Sequence, residues 1–351
     1  MNKRRLFLLS ILLVLVLSAC SSKESSSSGS SDNKEEKVEL TISSFGGTYD
    51  EVFQKYVIDP FEADHPNVTV KIAPYTGVTK LGQGGGNNLD VVQLDDFDII
   101  DAGNKGYLTH LEESGIGHWN DLYPQAFLEG KDGNTYGVVN VFGAWGIAYN
   151  PNEVKEAPTS WNDLLDPSVK GKVTMMSQWI PDILVLAETT GAEYDAMDPV
   201  WDMYKELAPS VAQYYASFSA PESLFQTGEV VMASWFDGRA NALKAGGSDI
   251  EFVIPEEGGI LIRSGLGVLK SSKNQELAQE LINYSLMPEA QIGFAKDLYY
   301  GPTNKTVTLE EADQESVVYG EEVADLITPK WNEILPYREE WLTKWTEVTS
   351  Q

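Results

Sequence analysis

Strand-like runs that pass into helical patterns occur twice along this chain, and that alternation constrains its fold more than any other feature. Val38 to Ser44 is strand-like, and the turn Phe45-Gly46-Gly47-Thr48 leads into a helical pattern from Tyr49 to Ala63 with Val52, Phe53, Tyr56 and Val57 on one face. Asn67 to Ala73 is strand-like again. Leu89 to Leu94 is a compact apolar strand running into Asp95-Asp96-Phe97-Asp98 and a helix to Ala102. The alternation restarts further on: Lys172 to Met176 is a strand, Asp182 to Thr189 and Val200 to Leu207 are helices, Glu229 to Trp235 is a strand meeting a helix at Asp237 to Ala245, and Ile250 to Ile254 is another strand. The class is therefore α/β, with a mostly parallel sheet covered on both faces. In such sheets ligands sit at the carboxyl ends of the strands, which directs attention to the turns after Ser44 and after Leu94.

Between the two alternating regions lies the longest aromatic and β-branched run, Tyr136 to Tyr149, ending in the turn signal Asn150-Pro151. Leu261 to Leu269 offers a return path. Roughly three hundred residues exceed what one core usually serves, so two lobes joined by two crossover strands are expected. Residues 38–148 and 266–307 are assigned to the first lobe, and residues 149–265 and 308–351, with the C-terminal helices, to the second. Two strands between lobes form a hinge, a repertoire that suits a cleft opening and closing on a solute. Trp161, Trp201 and Trp331 fall in amphipathic helical patterns and read as core. Gly84-Gly85-Gly86 lacks a following Lys-Ser or Lys-Thr and reads as a loop, not a phosphate cradle.

The first residues read as an export signal. Lys3, Arg4 and Arg5 precede an apolar run from Leu6 to Leu17 that is too short to span a membrane. The run ends in Leu17-Ser18-Ala19-Cys20, which resembles a bacterial lipobox, so residues 1–20 are expected to be a lipoprotein signal with Cys20 as the lipidated residue. Cys20 is the one cysteine and has no internal partner for a disulfide. Residues 21–37, rich in Ser, have the composition of a solvated tether. The expected location is the extracellular face of the cytoplasmic membrane, lipid-anchored, at the cell surface or on the periplasmic side. Without Lys3, Arg4 and Arg5 the 25 basic residues fall to 22 against 53 acidic ones, a formal balance of −31. That balance argues against nucleic acid or anionic lipid as a partner and is compatible with cationic solutes.

Several motifs share an order and spacing: Trp161-Asn162-Asp163-Leu164 followed by Lys170-Gly171-Lys172, then Gly228-Glu229-Val230, Trp235-Phe236-Asp237-Gly238, Ile254-Pro255-Glu256-Glu257-Gly258-Gly259, Leu281-Ile282-Asn283-Tyr284 and Pro302-Thr303-Asn304. From about Thr41 to Asn304 the chain resembles the spermidine/putrescine-binding family of ABC-importer receptors. The resemblance implies a two-lobed periplasmic-binding-protein fold of the second type, a polyamine in the interlobe cleft, and an ABC permease as partner. It also implies site residues: the first turn matches through Gly47, Thr48 and Tyr49, the second strand end through Asp95 and Asp96, and the crossover aromatic through Trp145. Trp179, Phe236 and Asp237 are cleft candidates in the second lobe, with Tyr300 closing the rim.

The chain departs from that family at two places. Met175-Met176-Ser177-Gln178-Trp179 has no carboxylate until Asp182, and Ile262-Arg263-Ser264 stands where the family pairs an aromatic with an Asp. Arg239 and Arg263 are this chain's own charges, and Arg263 suits a carboxylate or phosphonate better than a diamine, so a zwitterion, organic anion or aminophosphonate is the alternative solute. The pairs Tyr214-Tyr215 and Tyr299-Tyr300 look like those of ferric-ion receptors, yet neither has a His or carboxylate set placed with it; no metal or cofactor is expected. Three histidines, no G-x-S-x-G and no H-E-x-x-H leave a carboxylate-based hydrolase as the remaining enzymatic alternative to a monomeric receptor.

Overall fold

Backbone pairing in the computed structural model gathers ten strands into one mixed sheet. The structure describes residues 37–350; the export signal, Cys20 and the tether expected over residues 1–36 lie outside the described residues. The strands are β1 (Val38–Ser44), β2 (Val68–Pro74), β3 (Val91–Asp95), β4 (Phe127–Glu129), β5 (Thr135–Tyr149), β6 (Val173–Met176), β7 (Val211–Tyr215), β8 (Met232–Phe236), β9 (Glu251–Val253) and β10 (Ile260–Val268). They run in the order β2-β1-β3-β10-β5-β8-β6-β7, with β4 and β9 also on β5.

Two parallel triads, β2-β1-β3 and β8-β6-β7, flank the antiparallel pair β10-β5. Strand β5 is long enough to serve both. Its first part pairs with β4 and β10, and from Trp145 onward it pairs with β8 and β9. It is buried on both faces along nearly its whole length, as a strand covered by helices on either side must be, which is why it reads as an unbroken apolar run.

The strand-to-helix junctions follow from local chemistry. After β1, Asp50 Oδ1 accepts from Ser44 Oγ at 2.5 Å and from Gly46 N at 3.0 Å, and Gly47 takes φ 62, ψ −143, a conformation essentially reserved for glycine. Helix α1 (Thr48–Phe53) then buries Val52 and Phe53, and continues through a widened turn at Gln54–Ile58 into Asp59–Asp64. Pro60 accounts for the widening, since its ring clashes with the carbonyl four residues back. Phe53, Val57, Ile58 and Phe61 are fully buried beneath this stretch, each contributing about 1.5–3 kcal/mol. Helix α2 (Asp96–Asn104) leaves β3, α3 (Ile180–Thr190) follows β6, α4 (Asp237–Ala245) leaves β8, and α5 (Arg338–Thr349) ends the chain. No helix among the described residues is long and apolar enough to cross a membrane.

Candidate ligand-binding cleft

The register fixes where the two triads face each other. Asp95, the last residue of β3, lies opposite Ser264, which lies opposite Val141; Phe236, the last residue of β8, lies opposite Trp145, which lies opposite Ile260. The carboxyl ends of β3 and β8 therefore converge on the same short stretch of β5, the place where open α/β sheets bind ligands.

Both ends carry an aspartate at the first turn of the following helix, and the two differ in one respect. Asp96 Oδ1 accepts from Phe97 N at 2.8 Å, and its Oδ2 accepts from Arg263 at 2.8 Å. Asp237 Oδ1 accepts from Gly238 N at 2.7 Å, but its Oδ2 is buried with no partner. Burial pushes the Asp237 carboxyl up to about 7, against hydrogen bonds from Ala144 and Gly238 that hold it down. Asp95 occupies the helix-capping position without capping; its Oδ1 accepts from Ser264 Oγ at 3.2 Å. Burial, with Asp98 and Asp96 beside it, lifts Asp95 to about 7. Among the described residues neither Asp95 nor Asp237 forms an ion pair.

Aromatic rings wall the same region. Trp145 meets Phe236 edge-on at 4.9 Å and Trp179 at 5.6 Å; Trp179 also packs on Phe218 at 5.4 Å and on Phe97 at 6.2 Å. Trp145 is fully buried and donates its indole N–H to Asp182 Oδ1 at 2.8 Å. The Trp179 indole N–H is buried without an acceptor. Two non-glycine residues among those described have positive φ, Gln178 at 54° and Tyr299 at 58°, and each immediately precedes a cleft aromatic, Trp179 and Tyr300. Backbone strain of this kind persists where the surroundings over-determine it, characteristically at binding sites. Gln178 is held by Thr346 on α5 at 2.9 Å, and Gly301 pairs with Phe142 through two 2.8 Å bonds, which fixes Tyr300. The Tyr300 ring lies so close to Gly238 that a Cβ there would stand 3.0 Å from it.

Other residues expected at the site sit differently. Thr48 is exposed at the start of α1. Tyr49 is buried, and its hydroxyl is engaged on both sides: it donates to Gln93 Oε1 and accepts from Asn140 Nδ2, each at 2.9 Å. Asn140 is the extra residue of a bulge where β5 loses register with β10 between Ser264 and Gly265; its carbonyl accepts from Gln291 at 2.8 Å. Arg263 was expected to grip an anionic ligand. It is instead closed off from one, its side chain 5% exposed and its guanidinium bonded to Asp96, the Gln125 carbonyl and the Pro329 carbonyl. The reason is strand parity: Arg263 projects to the face of β10 opposite that of Ile262 and Ser264. Arg239 is partly exposed and pairs with Glu222 at 3.1 Å. Asp182 is fully buried behind Trp145 and accepts also from Met176 N and Ser234 Oγ, both at 3.2 Å. Two further rings of this wall, Phe97 and Phe218, were not singled out from the sequence: Phe97 lies inside the Asp95-Asp96-Phe97-Asp98 stretch, whereas Phe218 has no local signal, and nor have Tyr75 and Arg338, which reach Asp98 from the end of β2 and from α5.

Comparison with known proteins accords with this geometry. Residues 56–318 match the family described as bacterial extracellular solute-binding protein. The chain belongs to that family. Within it, the chain is 29% identical over 219 residues to the spermidine/putrescine-binding periplasmic protein 1 of Haemophilus influenzae, a match spanning 60% of each chain. It is 24% identical over 290 residues, 76% of this chain and 77% of the relative, to a gamma-aminobutyric acid-binding protein of Pseudomonas aeruginosa. The crystal structure of an ABC transporter protein from Clostridium perfringens superposes with a TM-score of 0.75 at 25% identity, covering 88% of this chain and 99% of the other. The fold is that of the two-lobed periplasmic binding proteins, and the two relatives named are solute-binding proteins.

Proposed function

We propose that the protein is the solute receptor of an ABC importer and that its solute is a small organic dication, a polyamine. The observation that carries this reading is charge: Asp95 and Asp237 are buried beside aromatic rings and form no ion pair among the described residues, Arg338 being the least of the influences on Asp95, and burial has lifted both toward neutrality. Ammonium groups would restore their ionised form, and the rings would box the methylenes by cation–π and apolar contact. Asp96, the other acid at this strand end, already has its cation in Arg263. The hinge of this reading lies where β5 and β10 pass between the triads, near Gly143 to Trp145 and Ile260 to Ile262. A lipid on Cys20, a membrane permease as partner and a monomeric receptor complete it. Closure is driven by contacts that the solute makes with both halves together.

Titration calorimetry of the purified protein with putrescine and spermidine tests the proposal. Binding is expected, and to strengthen as pH rises through 7 while the two carboxyls ionise. Absence of heat and of thermal stabilisation with either amine would refute it. A second reading, an amino-acid-like zwitterion, is favoured by Arg239, which acts electrostatically on Tyr300 from the helix that carries Asp237, and by the gamma-aminobutyric acid-binding relative. Arg239→Gln separates the two: it abolishes binding of a zwitterion and spares that of a diamine.

A further inference from the structure

We propose that Arg338 is a resident cation standing in a third ammonium position of this cleft, so that the solute admitted carries two positive charges and not three. The inference rests on the polyamine reading and fixes its charge count. Arg338 opens α5, and its guanidinium carbon lies 5.0 Å over the ring of Phe97. One of its terminal nitrogens is 4.0 Å from Asp98 Oδ1, and Tyr75 donates its hydroxyl to the other oxygen of that carboxylate at 3.3 Å. An aromatic face with a carboxylate at its edge is the chemistry that receives an ammonium group, and here a side chain of the protein fills it.

Arg338 comes from outside the element it covers. Helix α5 is anchored on the β6-β7 side, where Trp345 meets Tyr214 edge-on at 5.0 Å and Thr346 accepts from Gln178. Phe97 and Asp98 belong to α2, on the β1-β3 side. The guanidinium thus reaches across the cleft beside Trp179, which packs on the same Phe97 ring. As a stabilising ion pair it accounts for little: the contact is long, the Arg338 side chain is 36% exposed, and its Nε is buried without a partner. As a placed charge it accounts for more. Asp98, Asp95 and Asp237 are three carboxylates around this region, and Arg338 pairs with the first at 4.0 Å, acts on Asp95 only from a longer range and forms no contact with Asp237. A triamine would bring its last ammonium against a fixed guanidinium, whereas a diamine would not. Like-charge juxtaposition of this kind selects by repelling the wrong ligand.

Calorimetry with putrescine and spermidine on the wild type, Arg338→Gln and Arg338→Lys tests this. The wild type is expected to prefer the diamine by about tenfold or more, as a like-charge contact at partly buried distance requires. Arg338→Gln is expected to close that gap chiefly by gaining spermidine affinity, and Arg338→Lys, which keeps the charge, to retain it. A wild-type preference for spermidine, or an Arg338→Gln ratio equal to that of the wild type, would overturn the inference while leaving the polyamine site standing. Failure of both amines to bind any of the three proteins would overturn the site, and this inference with it. Unchanged Tm in Arg338→Lys keeps the comparison valid should the Gln variant fold poorly.

Discussion

Replacing Asp237 by asparagine removes a buried carboxylate whose Oδ2 has no partner, and its consequences have opposite signs with and without solute. Burial lifts the carboxyl from 3.8 to about 7. Between those values the folded protein holds a proton that the unfolded chain releases, so solute-free stability falls as pH rises from about 4 to about 7 and stays low above it. A displacement of that size corresponds to something on the order of 4 kcal/mol working against the fold at pH 8. Asparagine does not ionise; allowing for an amide that inherits an unfilled hydrogen-bond position, Asp237→Asn should stabilise the empty protein by about 1–3 kcal/mol at pH 8. At pH 5 only about the first third of that penalty has accumulated, enough to be offset by the cost of the amide, so the gain should fall to about zero. Binding should move the other way, losing about 1.5–3 kcal/mol, or ten- to a hundredfold, because the charge-assisted bond to an ammonium is gone. Urea unfolding of the empty protein at pH 5 and pH 8, with calorimetry on putrescine at pH 8, reads both effects. A variant less stable than wild type at pH 8 would show that Asp237 already has its counter-charge, and unchanged putrescine affinity would remove Asp237 from the site.

The buried pair makes a sharper structural prediction. Arg263→Ala should cost about 3–5 kcal/mol in chemical denaturation by leaving Asp96 charged and alone, and adding Asp96→Asn should recover a large part of it; equal loss in both variants would mean that packing, not charge, was at stake. Trp145→Phe takes the indole donor from Asp182, whose carboxyl burial already holds near 7. Its cost, about 1–3 kcal/mol, should be larger at pH 8 than at pH 6, and a pH-independent loss would contradict the role assigned to that hydrogen bond. Gly47→Ala forces a Cβ onto a backbone conformation that only glycine adopts freely and should cost about 1–3 kcal/mol, visible as a lowered Tm.

The elements around the cleft were readable because short apolar runs at β1, β3 and β8 give way abruptly to a helical repeat at Tyr49, Asp96 and Asp237. Strand β7 was not, since its residues are largely half-exposed and its two tyrosines invite a ligand reading. In the structure Tyr215 donates to the Ser234 carbonyl at 2.7 Å and Tyr214 lies against Trp345. The adjacent pair Asp95 and Asp96 could be placed at a strand end but not told apart, because what separates them is Arg263, 167 residues away. Strand parity would have shown that Arg263 and Ser264 cannot share a face. Nothing local could have brought Arg338 to Phe97, a contact made only when the last helix docks.

The position of β10 also dictates how the chain must fold. It is the strand between β3 and β5, and it arrives late: Ser264 bonds Asp95 across 169 residues. Until residue 268 has left the ribosome or emerged from the export channel, β3 and β5 both present unpaired edges, the kind of edge that recruits other chains. Strands β5 to β9 can pair among themselves beforehand, but β3 gains its inner neighbour only through β10, so joining the two triads is a non-local closure and is slow for a protein of this size. A truncation before β10 should leave β3 and the first part of β5 with open edges, and aggregate through them.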